Sequence, residues 1–411
     1  MKKMLTVLMT LAIVLSLAAC GGKSPSSGDA SGSPSPAGGS GAAPAGDDTY
    51  YIGMYASQTG TSASVGENQI RGAQLAVQEI NASGGILGGR PIELIVYDDA
   101  SSTEMAVKVV TRLVEDDKVD VILGGNMSPN ILASLPVTED AHVLHIGAGT
   151  GTTWTNIGCK YLYRATVSGV LPTETFIEMM QEMGETTAAM LSLEAEYGQS
   201  GRLNVLEVLK ETDIQLVADV TYQSTDTDYT GHIAKLLKDD PGSIIHYGYS
   251  SEMAVFLKQL RQAGYEGCVY TVEGGGDRQL SQIAGAAADG VVFSAAYVIP
   301  EEIGDATSEL EAAFLTNFVD TYGEMPTSDC AYRGYDEVYL ACAVLDASAD
   351  PADREANREA ILSTKFTGLA GTFDFSDGSG DGLSSANKYM LMDQKVKGFD
   401  RDAMMDWRDN K

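Results

Sequence analysis

Apolar and polar positions fall into two periods that take turns along the chain from Tyr50 to Ser294. Tyr50 to Met54 has the length and apolar character of a strand. A small-residue loop (57–66) follows, and then Ile70, Ala73, Val77 and Ile80 recur at helical spacing until turn residues from Asn81 to Gly85 end the run. PIELIVYDD (91–99) reads as a second strand, Ala106, Val109, Val110 and Leu113 as a helix, VDVILGG (119–125) as a third strand and HVLHI (142–146) as a fourth. The alternation continues with helix 172–184, strand 188–193, helix 199–211, strand 214–220, helix 229–239 and strand 243–248. A helix marked by Met253, Phe256, Leu257 and Leu260, strand 268–272, a short helix (278–285) and strand 290–294 close the series. After Pro300 helices dominate (306–322, 329–347 and 353–363), and two strand-like runs near 371–375 and 388–392 frame a Gly/Asp/Ser loop. Strands alternating with helices of this length imply parallel sheets covered on both faces. About nine or ten strands exceed what one open sheet usually holds, so the pattern predicts an α/β fold of two doubly wound lobes.

The third strand has the most suggestive chemistry. It ends in Gly124-Gly125, then Asn126-Met127-Ser128-Pro129, and ILASL (131–135) continues as a helix pattern. Ser before Pro reads as a helix N-cap followed by the first helical residue. Free backbone N–H groups and a hydroxyl at a helix N-terminus form a seat for a phosphate or carboxylate, although local sequence alone favours a plain structural cap for Ser128.

The N-terminus reads as an address. Lys2 and Lys3 precede an apolar run from Met4 to Leu17, the form of a secretory signal, and Leu17-Ala18-Ala19-Cys20 resembles a bacterial lipoprotein box. That resemblance implies cleavage after residue 19 and a lipid on Cys20. Residues 21–47, nearly all Gly, Ser, Pro and Ala, suit a flexible tether spanning roughly 30 Å. No later run is long and apolar enough to cross a bilayer. The net charge of −30 argues against nucleic acid as a partner. Cys159, Cys268, Cys330 and Cys342 form no CxxC pair and are expected to be buried thiols, with Cys330 and Cys342 on one helix. No metal site, cofactor loop, NTPase motif or hydrolase elbow is expected. Gly147 to Gly151 lacks GxGxxG spacing, His142 and His145 lie on opposite faces of a strand, and Asp374, Asp377 and Asp381 suit a solvated hairpin turn.

Further pieces, in order, carry a resemblance: Gly72-Ala73, Glu79-Ile80-Asn81, Gly84-Gly85-Ile86, Tyr97-Asp98-Asp99, Glu196-Tyr197-Gly198, Tyr249 within HYGYSSE, and Glu273-Gly274 with Ile283-Ala284-Gly285. From about residue 50 to the C-terminal strands the chain resembles the periplasmic leucine/isoleucine/valine-binding proteins, the solute receptors of branched-chain amino-acid ABC importers. The resemblance implies a type I periplasmic binding fold, two Rossmann-like lobes joined by three hinge crossings. It implies a signal at 1–19, a lipidated Cys20 and tether at 20–48, lobe one at 49–168 plus 297–366 and lobe two at 169–296 plus 367–411. It implies an α-amino acid as ligand, branched-chain or other aliphatic, captured by clamshell closure and passed to an ABC permease by a monomeric receptor tethered outside the cytoplasm. Carried over residue by residue, Ser128 and Thr150 take the α-carboxylate, with Thr152 as a rival for Thr150. The backbone at Ala148 and Gly149 accepts from the ammonium, Glu273 pairs with it, and Tyr249 touches the amino-acid head. Tyr197 and Tyr332 line the pocket, Asn126 stands beside the side-chain pocket, and Met127 is counted among the ligand-binding residues. Val65 stands where the family often has an aromatic residue, and Asn126 where better-known receptors have an apolar one. A ligand-sensing subunit for another small carboxylate or amide, and a secreted enzyme, are the competing readings.

Overall fold

A computed structural model of the protein describes residues 49–153 and 157–410. The expected leader, Cys20 and most of the tether lie outside the described residues. In chain order the first lobe begins β1 (Tyr50–Ala56), α1 (Ala63–Ala82), β2 (Ile92–Asp98), α2 (Thr103–Glu115), β3 (Val121–Gly124), α3 (Ser128–Asp140), β4 (Leu144–Gly147) and β5 (Leu162–Arg164). Its five strands form one parallel sheet in the order β2-β1-β3-β4-β5. The second lobe continues with α4 (Val170–Glu182), β6 (Thr187–Leu193), α5 (Glu196–Leu209), β7 (Gln215–Tyr222), α6 (Thr230–Leu236), β8 (Ser243–Tyr247), α7 (Ser250–Gln262), β9 (Val269–Thr271), α8 (Arg278–Ala284) and β10 (Val291–Ala295). Helices α9 (Glu309–Tyr322), α10 (Cys330–Ala347) and α11 (Arg354–Ser363) come next, then β11 (Lys365–Thr367), β12 (Thr372–Asp374), β13 (Asn387–Met392), β14 (Lys395–Gly398) and α12 (Arg401–Asp409). The second sheet has the order β14-β13-β10-β9-β8-β6-β7, antiparallel only where β13 and β14 join its edge.

The alternating α/β pattern is as the sequence reading has it. The chain's short or late elements β5, β11, β14 and α12 escape that reading because each is too brief or too polar to show a period. The strand runs near 371–375 and 388–392 do not pair with each other as a hairpin. β12 pairs with β11, and β13 pairs with β10 and β14. Phe373, Phe375 and Leu383 are buried in the same core as β1 and α10. The last passage between lobes therefore falls between Leu383 and Asn387, later than the 366/367 boundary read from the sequence.

Helix α10 returns to the first lobe and lies against α1 by backbone contact. A Cβ at Gly72 would stand 1.8 Å from the Ala331 carbonyl oxygen, and one at Gly334 would stand 1.9 Å from that of Gln69. Tyr335 and Tyr339 add hydroxyl bonds to Glu79 at 2.6 and 2.9 Å. This approach carries the N-terminal turn of α10 to the cleft. Gly334→Ala must push the helices apart and is expected to destabilise the protein by about 1–3 kcal/mol in denaturant titration.

Two carboxyl groups on α10 are fully buried. Glu337 accepts from Gln69 Nε2 at 2.9 Å and Gly124 N at 3.1 Å, and burial raises its pKa to about 8. Asp336 accepts from the N–H groups of Leu369 and Ala370 and is raised by burial to about 7. Both folded values exceed the unfolded ones, so the stability they confer is full at low pH and is lost as pH rises through about 7 and 8. Buried His145 and His246, depressed by burial to about 4 and 3 from 6.5, act oppositely once the unfolded chain takes up protons that the folded chain refuses. Melting temperature is expected to rise as pH falls from 8 to 6.5 and to flatten or fall below that. Glu337→Gln, the neutral isostere, should shrink the rise in scanning calorimetry.

Candidate functional site

The carboxyl ends of parallel strands from both lobes converge on one cleft, the position at which open α/β sheets bind ligands. In the first lobe β1 leads to the 57–66 segment, β3 to Asn126 and Ser128, and β4 to Gly149–Gly151. In the second lobe β6 leads to Tyr197, β8 to Tyr249 and β9 to Glu273. Gly124 makes the turn after β3 possible. Its φ is +97°, and a Cβ there would meet the Tyr55 carbonyl oxygen at 2.0 Å. Asn126 then clips two loops together, its Oδ1 accepting from Ser57 N at 3.0 Å and its Nδ2 donating to Ser62 Oγ at 2.7 Å.

Between the lobes is a cavity of about 110 Å³. The first lobe lines it with Val65, Asn126, Ser128 and Thr150, and the second with Tyr197, Tyr249 and Glu273. Seven of the residues singled out in the sequence thus meet in one place. Thr150 Oγ1 donates to Glu273 Oε1 at 2.6 Å, directly across the cleft, and Tyr197 OH donates to the same oxygen at 3.3 Å. Glu273 Oε2 is buried with no hydrogen-bond partner. The Tyr197 and Tyr249 rings stack, with centroids 5.1 Å apart and planes 16° apart.

Four singled-out residues do not line the cavity. The Ala148 carbonyl accepts from Arg333 Nη1 at 2.8 Å and the Gly149 carbonyl from Arg164 Nη1, so guanidinium groups hold the oxygens expected to face an ammonium. Met127 is buried as the residue preceding α3. Tyr332 packs edge-on against Tyr297 at 4.6 Å within the first core, and its chain neighbour Arg333 reaches the cavity instead. Ser128 is the first residue of α3 rather than its cap, and no side-chain capping bond forms. Its Oγ accepts from Gly151 N at 3.0 Å. Thr152 faces away, its backbone N–H 3.3 Å from Ser200 Oγ on α5.

The side chains that stiffen this site escaped the sequence reading. Arg164 is fully buried, with Nε on Asp381 Oδ1 at 2.6 Å, Nη2 on the Gly151 carbonyl at 2.8 Å and Nη1 on Gly149. It therefore shapes the loop that presents Thr150. Asp381 is accordingly an ion-pair partner and not only a turn acid. Arg333 Nε donates to Asp329 Oδ2 at 3.1 Å, with Nη2 on the same oxygen. Burial opposes the Arg333 charge, but Asp329 outweighs it and the pKa stands above the usual arginine value. Glu196 sits behind Ser128. Burial raises its pKa, countered by Thr153, Arg164 and Ser128. One signal was available for Arg333. It shares the otherwise apolar run of α10 with Asp336 and Glu337, and charges in a buried helix face need partners.

Cys268, Cys330 and Cys342 are buried free thiols, and Cys159 is half-buried rather than buried. Among the described residues no group of side chains could hold a metal ion, and no helix is long and apolar enough to cross a membrane.

The periplasmic binding protein family model matches residues 49–393. A leucine-, isoleucine-, valine-, threonine- and alanine-binding protein of Pseudomonas aeruginosa is 26% identical over 335 residues, 80% of this chain and 86% of that protein. The Leu/Ile/Val-binding protein of Escherichia coli is 28% identical over 246 residues, 59% of this chain and 66% of that protein. A branched-chain amino acid transporter substrate-binding protein of Streptococcus pneumoniae, solved with isoleucine, superposes with a TM-score of 0.75 at 25% identity, covering 85% of this chain and 98% of that one. A solute-binding protein of Rhodopseudomonas palustris solved with benzoate shares the fold, with a TM-score of 0.77 at 21% identity over 85% of this chain and 95% of that one. The chain belongs to the periplasmic binding protein family, and its fold is the type I form.

Proposed function

We propose that the protein is an extracytoplasmic solute-binding receptor of an ABC importer, and that it captures an α-amino acid by closure of its two lobes. The observation that carries this reading is the Thr150–Glu273 bond across the cleft, beside a buried Glu273 oxygen that lacks a partner. A hydroxyl from one lobe and a carboxylate from the other suit the two charged ends of a zwitterion. A ligand that touches both lobes binds the closed form better than the open one and so shifts the population toward closure. The relatives' names favour an amino acid over other small solutes. In this reading the chain binds and releases its ligand unchanged, works as a monomer beside a membrane permease, and is held there by a lipid on Cys20.

A thermal-shift screen of the α-amino acids tests this. A ligand at a hundred times its Kd adds about 2.7 kcal/mol of apparent stability, so a true ligand raises the melting temperature visibly. A screen in which none does so would refute the reading. Ser128→Ala is expected to weaken the ligand about tenfold in calorimetry, because it frees the Gly151 N–H and removes a hydroxyl from the cavity wall.

A further inference from the structure

The cavity is one-sided in charge. Its lining carries four carboxylates (Glu252, Glu273, Asp277 and Asp329) against one guanidinium, that of Arg333, which is already bonded to Asp329. Glu252 accepts from Tyr222 OH at 2.7 Å, and Asp277 accepts from Ser250 Oγ at 2.8 Å and Gln279 N at 2.9 Å. Among the described residues neither Glu252 nor Asp277 is in an ion pair. Burial lifts both carboxyl groups to about 6, and Asp329, facing Asp277 from the other lobe, adds to the lift there. Two acids thus stand in the second lobe's wall without a counter-charge, in addition to Glu273.

The neutral part of the wall is also polar. Ser62, Ser64, Asn126, Ser250 and Gln279 contribute hydroxyls and amides, and among the described residues Val65 is the only aliphatic side chain in the lining. A branched aliphatic side chain seated here would meet polar groups instead of an apolar surface and would offer them no hydrogen bond. The stacked rings of Tyr197 and Tyr249 suit a methylene stem, and an aromatic face also attracts a cation.

Resting on the amino-acid receptor reading above, we infer that the preferred ligand is an α-amino acid whose side chain ends in a cationic nitrogen, an ammonium or a guanidinium. Glu273 takes the α-ammonium, and Asp277 and Glu252 receive the distal cation. Asp329 faces the same cation from the first lobe, so one ligand group relieves the repulsion between carboxylates on opposite lobes and helps to hold them together.

Calorimetric titration of the purified protein with lysine, arginine, norleucine, leucine, glutamine and glutamate tests this. Norleucine has the lysine stem without its ammonium. The expected result is that lysine or arginine binds at least about tenfold more tightly than norleucine, since hydrogen bonds to charged groups are worth that factor or more. Asp277→Asn should reduce that ratio, chiefly by weakening lysine or arginine. If it fails to fold because its cap on α8 is altered, Glu252→Gln and the ratio in the unaltered protein decide. Equal or tighter binding of norleucine, leucine, glutamine or glutamate overturns the inference and leaves the amino-acid receptor standing. Binding of no α-amino acid overturns the receptor reading beneath it.

Discussion

Replacing Glu273 with alanine is expected to weaken ligand binding about a hundredfold or more, the equivalent of about 2–3 kcal/mol for a charge-assisted contact. The geometry makes this the most damaging single change in the cleft. Glu273 is the residue through which the second lobe meets Thr150, and its other oxygen is buried and unpartnered. Alanine removes the acceptor for Thr150 and Tyr197 together and, in the amino-acid reading proposed above, leaves the α-ammonium without its counter-charge. Glu273→Gln separates the two effects, because it keeps an oxygen for Thr150 but not the charge. It should recover part of the lobe contact and little of the affinity. The check is calorimetry on both variants with the ligand found in the thermal-shift screen. Affinity within about threefold of the unaltered protein in Glu273→Ala is well below the roughly tenfold per 1.4 kcal/mol expected here and would defeat the assignment.

Arg164→Leu is expected to cost about 3–5 kcal/mol of stability, the usual penalty for stripping one partner from a buried ion pair. The lost guanidinium takes its ion pair from Asp381 and its donors from the carbonyls of Gly149 and Gly151. It also frees the loop carrying Thr150, so ligand affinity should fall together with the denaturant midpoint. Asp381→Asn takes the counter-charge from the fully buried guanidinium, whose bonds to Gly149 and Gly151 remain, and should lower the midpoint as well. A midpoint for Arg164→Leu close to that of the unaltered protein would show that the loop is held by other means.

The architecture was legible because parallel strands and amphipathic helices announce themselves by period. VILG and LHIG are buried along their whole length, and α2 presents Ala106, Val109, Val110 and Leu113 inward as its spacing requires. β5 and β11, three residues each, are too short to show a period, so the short antiparallel pair that β11 makes with β12 a few residues later went unread. At the site, the legible residues follow strand ends: Ser128, Thr150, Tyr249 and Glu273. Ser128 and Glu273 also had a local argument, a helix start and a strand end, whereas Thr150 and Tyr249 were read from the family resemblance. The supporting guanidiniums were not legible. Arg164 finds Asp381 across 217 positions, and Arg333 finds the Ala148 carbonyl across 185. Ala148 and Gly149 show the consequence. The family resemblance implied ligand-facing carbonyls there, but arginines from distant elements bond to both. Asn126 illustrates the converse. Its polarity suggested an altered ligand pocket, and the structure adds a second role, the clip to Ser57 and Ser62.

The central claim is that the cleft recognises both charged ends of an α-amino acid. One calorimetric comparison tests it most directly, using the amino acid that gives the largest thermal shift beside its N-acetyl and C-amide derivatives. The account predicts saturable one-to-one binding of the free amino acid and a loss of about a hundredfold or more for each derivative, since each removes a charge that one lobe was built to meet. Equal binding of either derivative would contradict it, because the zwitterion would then not be what draws Thr150 and Glu273 together.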